Sequence, residues 1–554
     1  MTRLWQSPRM GGHRVWSWIG IGVLLAIFGI IILWPLGELV TAALAQGLGV
    51  VRELATTETV SALENSVIAS LLATILALAI GLGMALVVFG LSERSRTWWF
   101  TIAMLPLFIP PFVDAFAWLE AYTQGGLSSQ LMHWSFSWLY GFWGVVILLA
   151  VHTAPLALLS FYAALGRIRG HAYNAARIFG ATGTRAFFTA VWPHIRSIIP
   201  SIGGLVFIFC IGDFGIPLVL GLPGHFLMVT TDIYQDLSYA AIPGSFTQAL
   251  SLSLSLAIFA VAAIVIQRIV GTQETTLAAV GAHPWSSNLS SRASKIGVGA
   301  VVGYLLFVLV FPFLSLMLTA LVRAYGLVAT APRNWTLANF TALIRGSVGL
   351  AILHSVLLAA AAATALAILG VVLSEVIRNY VRLAIVQSVI WIPYTVPGSV
   401  IGITMILTFN RWFYGTFFII FLAYLAKFWG LMDPLIAFRR DVPKSLERAA
   451  RIFGAKAGRT YWTAVWPWMS SLTGSLWLLV FINALYELTM SSLLYTPRTE
   501  TLAVVVLNAQ QQGNVTTTAA VGTLIALLMM AGAVLINVGS RRLRASSKES
   551  EVVG

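Results

Sequence analysis

The sequence predicts an all-α polytopic membrane protein, with about twelve transmembrane helices in two parallel six-helix halves. Three observations predict it. Hydrophobic residues make up 59% of the 554 and charged residues 9%, too few ionic side chains to cover a water-facing surface. Twelve stretches are apolar over about 20 residues, the length that crosses about 30 Å of hydrocarbon. One charged motif is spelled twice at a fixed offset, AARIFGA at Ala175–Ala181 and at Ala449–Ala455, each followed by TAVWP.

The expected spans run 15–45, 63–91, 99–121, 140–165, 197–220, 246–267, 297–322, 349–374, 384–409, 415–437, 470–494 and 517–539. None shows the polar alternation of a barrel wall. The first follows a basic head as a secretion signal would, but its apolar run exceeds the about 7 to 15 residues of a cleaved signal. Span seven repeats its form, FPF at Phe311–Phe313 echoing WPL at Trp34–Leu36, so we read span one as a retained helix. Pro106, Pro110 and Pro111 fall in the third span, Pro155 in the fourth, Pro393 and Pro397 in the ninth and Pro434 in the tenth. Each deletes a helical hydrogen bond, so these helices either line something wet or kink to pack.

Repetition organises the chain. Aligning Ala175–Pro193 with Ala449–Pro467 gives 13 identities in 19 positions, Arg185 with Arg459 among them. The same offset pairs Asp213 with Glu487, and a slightly larger one pairs NSV at Asn65 with HSV at His354. An even number of spans returns each half to the same side, so the halves are parallel. We expect a first half at 1–271, a polar linker at 272–295 and a second half at 296–554.

Net charge is +14, and its distribution decides what that means. With both termini cytoplasmic, inner segments hold 26 of the 33 Lys and Arg, outer loops 6, and Lys427 lies within a span. That obeys the positive-inside rule, so the charge reports topology, and nucleic acid is not expected as a partner. The single cysteine, Cys210, excludes an internal disulfide and reads as a small buried hydrophobe.

Both motif copies fall between the fourth and fifth spans of their half, on the expected cytoplasmic side, near 169–196 and 441–468. Ala175, Ile178 and Phe179 share a helical face, Asn174 and Arg177 point elsewhere, and Gly180 permits a turn. Phe187, Phe188, Val191 and Trp192 then form a stripe matched by Tyr461, Trp462, Val465 and Trp466, suited to headgroup depth. A basic helix carrying small residues suits docking into a groove on another protein, and two copies imply two partners or one symmetric dimer.

The pattern A-A-x-x-x-G, then an aromatic-rich segment and a proline, resembles the EAA loop of permease subunits in binding-protein-dependent ABC importers. That resemblance implies the type I importer permease fold, with Ala175, Ala176, Arg177, Gly180, Arg185 and Pro193, and Ala449, Ala450, Arg451, Gly454, Arg459 and Pro467, forming loops seated in an ATPase subunit. The family's glutamate is absent, the positions being Asn174 and Arg448, with Glu447 one residue early. DFGIPLVLG at Asp213–Gly221, TTDIY at Thr230–Tyr234 and YELTMSSLLYTPRTETLAV at Tyr486–Val504 are similar to the fused two-half permeases of the ferric iron importer group, whose relatives carry thiamine, phosphonates and sugar phosphates. The implied partners are two copies of an ATP-binding subunit, an external or periplasmic solute-binding protein and the bacterial cytoplasmic membrane. No Walker A loop GxxxxGK[ST] occurs, so any ATP hydrolysis belongs to a separate chain. No catalytic set, cofactor site or metal site is expected.

Ionisable groups within spans are costly and suggest either a pathway or a partner. Asp213 and Glu487 are candidates for the translocation pathway, favouring a cationic solute, against a structural reading as helix-end carboxylates. Asp114 is a third candidate; Glu120 beside it reads as structural, and Lys427 as snorkelling. The main rival is a twelve-helix secondary transporter of the major facilitator kind, which carries a basic signature between spans two and three that Ser92–Trp99 lacks. A channel or scaffold is a third class.

Overall fold

The computed structural model describes residues 22–168, 170–238, 244–270, 291–345, 347–377 and 393–532. Among them ten helices are long and apolar enough to cross a membrane: Gly22–Gln46, Thr57–Phe89, Phe142–Leu165, Gly183–Ile211, Ser245–Ala262, Ser294–Leu321, Val348–Ile377, Phe417–Asp441, Ala457–Leu485 and Val515–Gly532. The chain is therefore an all-α polytopic membrane protein.

The expected third span is not one continuous helix. It is built as Glu93–Ala103, a 3-10 turn Leu105–Phe108 and a helix Pro111–Tyr122. Pro106 and Pro110 interrupt the hydrogen-bond ladder, and Pro110 adopts the extended conformation from which the new helix starts. The ninth span falls partly outside the described residues; the part inside them, Gly398–Phe413, starts from Pro397 in the same way. The linker expected at 272–295 lies outside them as far as residue 290.

Proline leaves a second signature. In Trp34-Pro35, Trp192-Pro193, Phe311-Pro312 and Trp466-Pro467, the preceding five residues form a π-turn: Gly29–Leu33, Phe187–Val191, Leu306–Val310 and Tyr461–Val465. Each aromatic N–H donates five residues back, as Trp192 does to Phe187 and Trp466 to Tyr461. A proline ring crowds the carbonyl four residues earlier and supplies no N–H, and a widened turn relieves both. The echo between WPL and FPF is thus one structural device used at equivalent places.

The described residues form two compact units that interleave the sequence. One takes the N-terminal stretch to Ala45 with Leu350–Ala503; the other takes Gln46–Gly349 and the described residues that follow Ala503. Within the first unit, Phe28 meets Trp429 edge-on at 5.8 Å and Trp34 meets Phe409 at 5.7 Å. Within the second, Trp118 Nε1 donates to Val308 O at 3.3 Å and the Tyr122 hydroxyl to Phe307 O. The opening span of each sequence half is thereby packed on helices of the other half.

NSV and HSV acquire a common explanation. Asn65 Nδ2 donates to Leu227 O at 3.1 Å, and Ser66 Oγ accepts from Val229 N at 2.8 Å. His354 Nδ1 lies 3.3 Å from Glu500 O, and Ser355 Oγ accepts from Leu502 N at 2.7 Å. Each pair ties a long helix to the chain entering a short one, Val229–Ser238 or Leu502–Gln511. Those buried amide hydrogens need an acceptor.

Candidate functional site

The doubled motif has the same backbone course in both places. A nine-residue helix, Gly170–Ile178 or Lys444–Ile452, ends in a glycine of left-handed conformation, Gly180 with φ +85° and Gly454 with φ +81°. The N–H of Ala181 reaches Ala176 O at 3.0 Å, and Gly180 reaches Arg177 O at 3.1 Å; Ala455 reaches Ala450 O at 3.0 Å, and Gly454 reaches Arg451 O at 3.0 Å. These bonds close the helix end as a Schellman-type cap, for which glycine is suited because it has no Cβ.

Exposure matches residue by residue. Ala175, Arg177 and Gly180 are exposed and Ala176 is half-buried; Ala449, Arg451, Gly454 and Ala450 follow the same pattern. Ile178 and Ile452 are each 82% exposed, Phe179 is 89% and Phe453 90%. Two large apolar side chains at the tip of a basic turn present a patch that water does not favour. The alanines give the sequence signal, whereas Ile-Phe supplies most of the apolar surface. Beyond the turn, Thr182 caps the Gly183–Ala186 helix by accepting from Arg185 N, while Lys456 stands at that place in the second copy and makes no side-chain cap. Arg185 and Arg459 are both exposed. Val191 and Val465 are buried, Phe188 and Trp462 stand out, and Pro193 and Pro467 open the following helices.

The first loop carries Asn174 where the resemblance expects a carboxylate, and that residue is exposed. In the second loop Glu447, one residue early, is 6% exposed and turned inward. Arg439 Nη2 donates to it at 2.9 Å and also pairs with Glu375 through Nε and Nη2. Sequence reading passed over Arg439 and Glu375, because nothing along the chain marks three side chains from three helices as one cluster.

Asp213 and Glu487 do equivalent work in their own units. Asp213 follows the end of the Trp192–Ile211 helix, and its Oδ1 accepts from Ile216 N at 2.9 Å. Glu487 follows the Trp466–Leu485 helix and accepts from Met490 N at 2.9 Å, Ser491 N at 3.0 Å and Ser491 Oγ at 3.1 Å. Both carboxylates cap a new turn after a helix break, where backbone N–H groups lack partners. Asp114 is 4% exposed and faces His152 Nδ1 at 3.3 Å. Lys427, read from sequence as snorkelling, instead donates to Tyr394 O at 2.9 Å and Val396 O at 2.6 Å, carbonyls just ahead of Pro397. Cys210 is fully buried beside Thr153. Among the described residues no group of three His, Cys, Asp or Glu is placed to hold a metal ion.

Known proteins resemble the chain in sequence. Residues 77–271, which contain the first loop, match the family described as binding-protein-dependent transport system inner membrane component. The ferric transport system permease protein FbpB of Actinobacillus pleuropneumoniae is 24% identical over 497 residues, covering 87% of this chain and 71% of that protein. The putative ferric transport system permease protein FbpB 1 of Haemophilus influenzae is 22% identical over 468 residues, 82% of this chain and 72% of that one. The thiamine transport system permease protein ThiP of Escherichia coli is 29% identical, over 143 residues and a quarter of each chain. Residues 77–271 thus match that family, and over most of its length the chain, with ten apolar helices among the described residues and a loop built twice, is similar to the ferric transport permeases.

Proposed function

We propose that this chain is the permease of an ABC importer in a bacterial inner membrane, moving ferric iron inward by alternating access driven by two copies of an ATP-binding subunit. One observation carries the reading: two helix-turn elements present the same exposed Ile-Phe tip on the same left-handed glycine turn. Identical surfaces fit identical partners. On this reading both termini and both loops are cytoplasmic, as the distribution of Lys and Arg favours. The repeat halves 1–271 and 296–554, joined by the linker 272–295, are the two arms that the ATP-binding subunits work. Nucleotide-driven closure of those subunits shifts the permease between inward-open and outward-open arrangements, because each arrangement holds the loops at a different spacing. An external solute-binding protein delivers the cargo.

Ferric iron is favoured over thiamine by extent. Likeness to the ferric permeases runs over 87% and 82% of this chain, and likeness to the thiamine permease over 25%. The chain hydrolyses no ATP itself on this reading, so uptake requires a separate ATPase. The test is radioactive ferric iron uptake into proteoliposomes containing the chain, its ATP-binding subunit and its solute-binding protein. Uptake that needs all three and ATP is expected. Uptake by the chain alone, driven by a proton gradient, would instead indicate the secondary-transporter reading.

A further inference from the structure

The two loops share an outward face, and the second has an ion-paired inward attachment whose residues the first does not repeat. In the second copy, Glu447 is the inward-turned residue of the Lys444–Ile452 helix, flanked by exposed Leu446 and Arg448. Its partner Arg439, 2% exposed, lies in the last turn of the Asp433–Asp441 helix, at the end of the tenth span. The same guanidinium grips both oxygens of Glu375, near the end of the Val348–Ile377 helix. One planar fork thus joins the loop to two spans. In the first copy the offset of 274 places Tyr173 where Glu447 stands and Leu165, fully buried, where Arg439 stands. Neither residue carries a charge, so that ion-paired link is not spelled in the first copy.

We propose that Glu447, Arg439 and Glu375 form a positioning network that gears the second loop to spans eight and ten, making the two docking sites unequal transmitters of motion behind equal docking faces. Charge-assisted hydrogen bonds fix both distance and angle, and Arg supplies two such bonds to one carboxylate while keeping a donor for another. A displacement of the second loop is therefore carried into the spans with little slack. At Leu165 the corresponding contact is apolar packing, which is less directional than an ion pair, so on this proposal the first loop transmits its displacement less directly. The missing glutamate of the loop motif is replaced, in this copy, by one that faces the permease rather than the partner.

The inference rests on the ATPase-driven reading, and two measurements separate their failures. Glu447→Leu removes the link but leaves Arg439 neutralised by Glu375, so no buried charge is orphaned. In the chain alone, amides of 444–452 exchange hydrogen about tenfold faster in Glu447→Leu than in wild type, while those of 170–178 are unchanged. Glu447→Gln, which keeps an acceptor for Arg439, stays near wild type. In the assembled transporter, Glu447→Leu holds the same amount of ATP-binding subunit, yet iron taken up per ATP hydrolysed falls by roughly tenfold, and Tyr173→Leu in the first loop leaves that ratio unaltered. Unchanged exchange at 444–452 would overturn the network; so would a normal ratio, or an equal fall from Tyr173→Leu. A wild-type chain that binds no ATP-binding subunit would refute the ATPase-driven reading, with the exchange result still deciding the network.

Discussion

Replacing Gly180 and Gly454 by valine isolates the turn from everything around it. A Cβ built on either glycine meets no heavy atom within 4 Å, so steric conflict with neighbours adds nothing. What remains is the backbone: φ of +85° and +81° costs an L-residue about 1–2 kcal/mol, and more when the side chain is β-branched. If the chain escapes that cost by leaving the left-handed region, the bonds to Ala176 O and Ala450 O break and Ile178-Phe179 and Ile452-Phe453 change direction. One substituted loop should weaken docking roughly tenfold, and both together by about 2–4 kcal/mol, roughly 30- to 700-fold. The assay is titration of the purified ATP-binding subunit onto immobilised permease, with membrane insertion checked separately. Gly180→Asn with Gly454→Asn is the control, because asparagine tolerates the left-handed conformation. Docking by the double valine variant within twofold of wild type would refute the reasoning, and so would an equal loss in the asparagine variant.

Asp213→Asn with Glu487→Gln retains an acceptor for Ile216 and Met490 N–H while removing charge, so assembly should survive and iron uptake should change; alanine at either place should reduce folded yield as well. Normal uptake by the amide variants would return both residues to a capping role alone. Ser66→Ala and Ser355→Ala each leave a buried N–H, of Val229 or Leu502, without its acceptor, and each should lower unfolding free energy by about 1–3 kcal/mol in denaturant titration. A loss at one site only would contradict their equivalence. Asp232 and Asp236 lie buried on the short Val229–Ser238 helix between spans, where burial and then neighbouring carboxylates push them up to about 7 and about 8. Folded values above the ordinary 3.8 mean that stability is fully present below that pH and is lost as pH rises through about 7 to 8. Asp236→Asn should therefore flatten the fall in melting temperature between pH 6 and pH 9, and an unaltered slope would show that this cluster does not set it.

What the sequence made legible follows from how locally each feature is determined. The doubled loop could be read because its conformation is written within 19 contiguous residues, down to the glycine that turns left-handed. The likeness of Trp34-Pro35 to Phe311-Pro312 was visible for the same reason, although the π-turn it enforces was not. Hydropathy found the spans but not the break in the third, since a window averages across Pro106 and Pro110 as though the helix continued. The equivalence of Asp213 and Glu487 was legible from the offset, while their capping work depends on where each helix stops, at Ile211 and Leu485. The pairing of Asp114 with His152, 38 residues apart, and the cluster at Arg439 required helix packing that no local pattern encodes. For Ile178 and Phe179 the shared helical face was legible from spacing, whereas their being among the most exposed of the described residues was not.

The central claim is that force enters through two like turns facing the cytoplasm. Because Cys210 is fully buried, cysteine introduced at Phe179 or Phe453 provides a clean accessibility probe. A membrane-impermeant thiol reagent should label both positions in inverted vesicles stripped of peripheral proteins, not in right-side-out vesicles, and adding back the ATP-binding subunit should protect both. Labelling of either position from the outside, or labelling undiminished by the added subunit, would contradict the account.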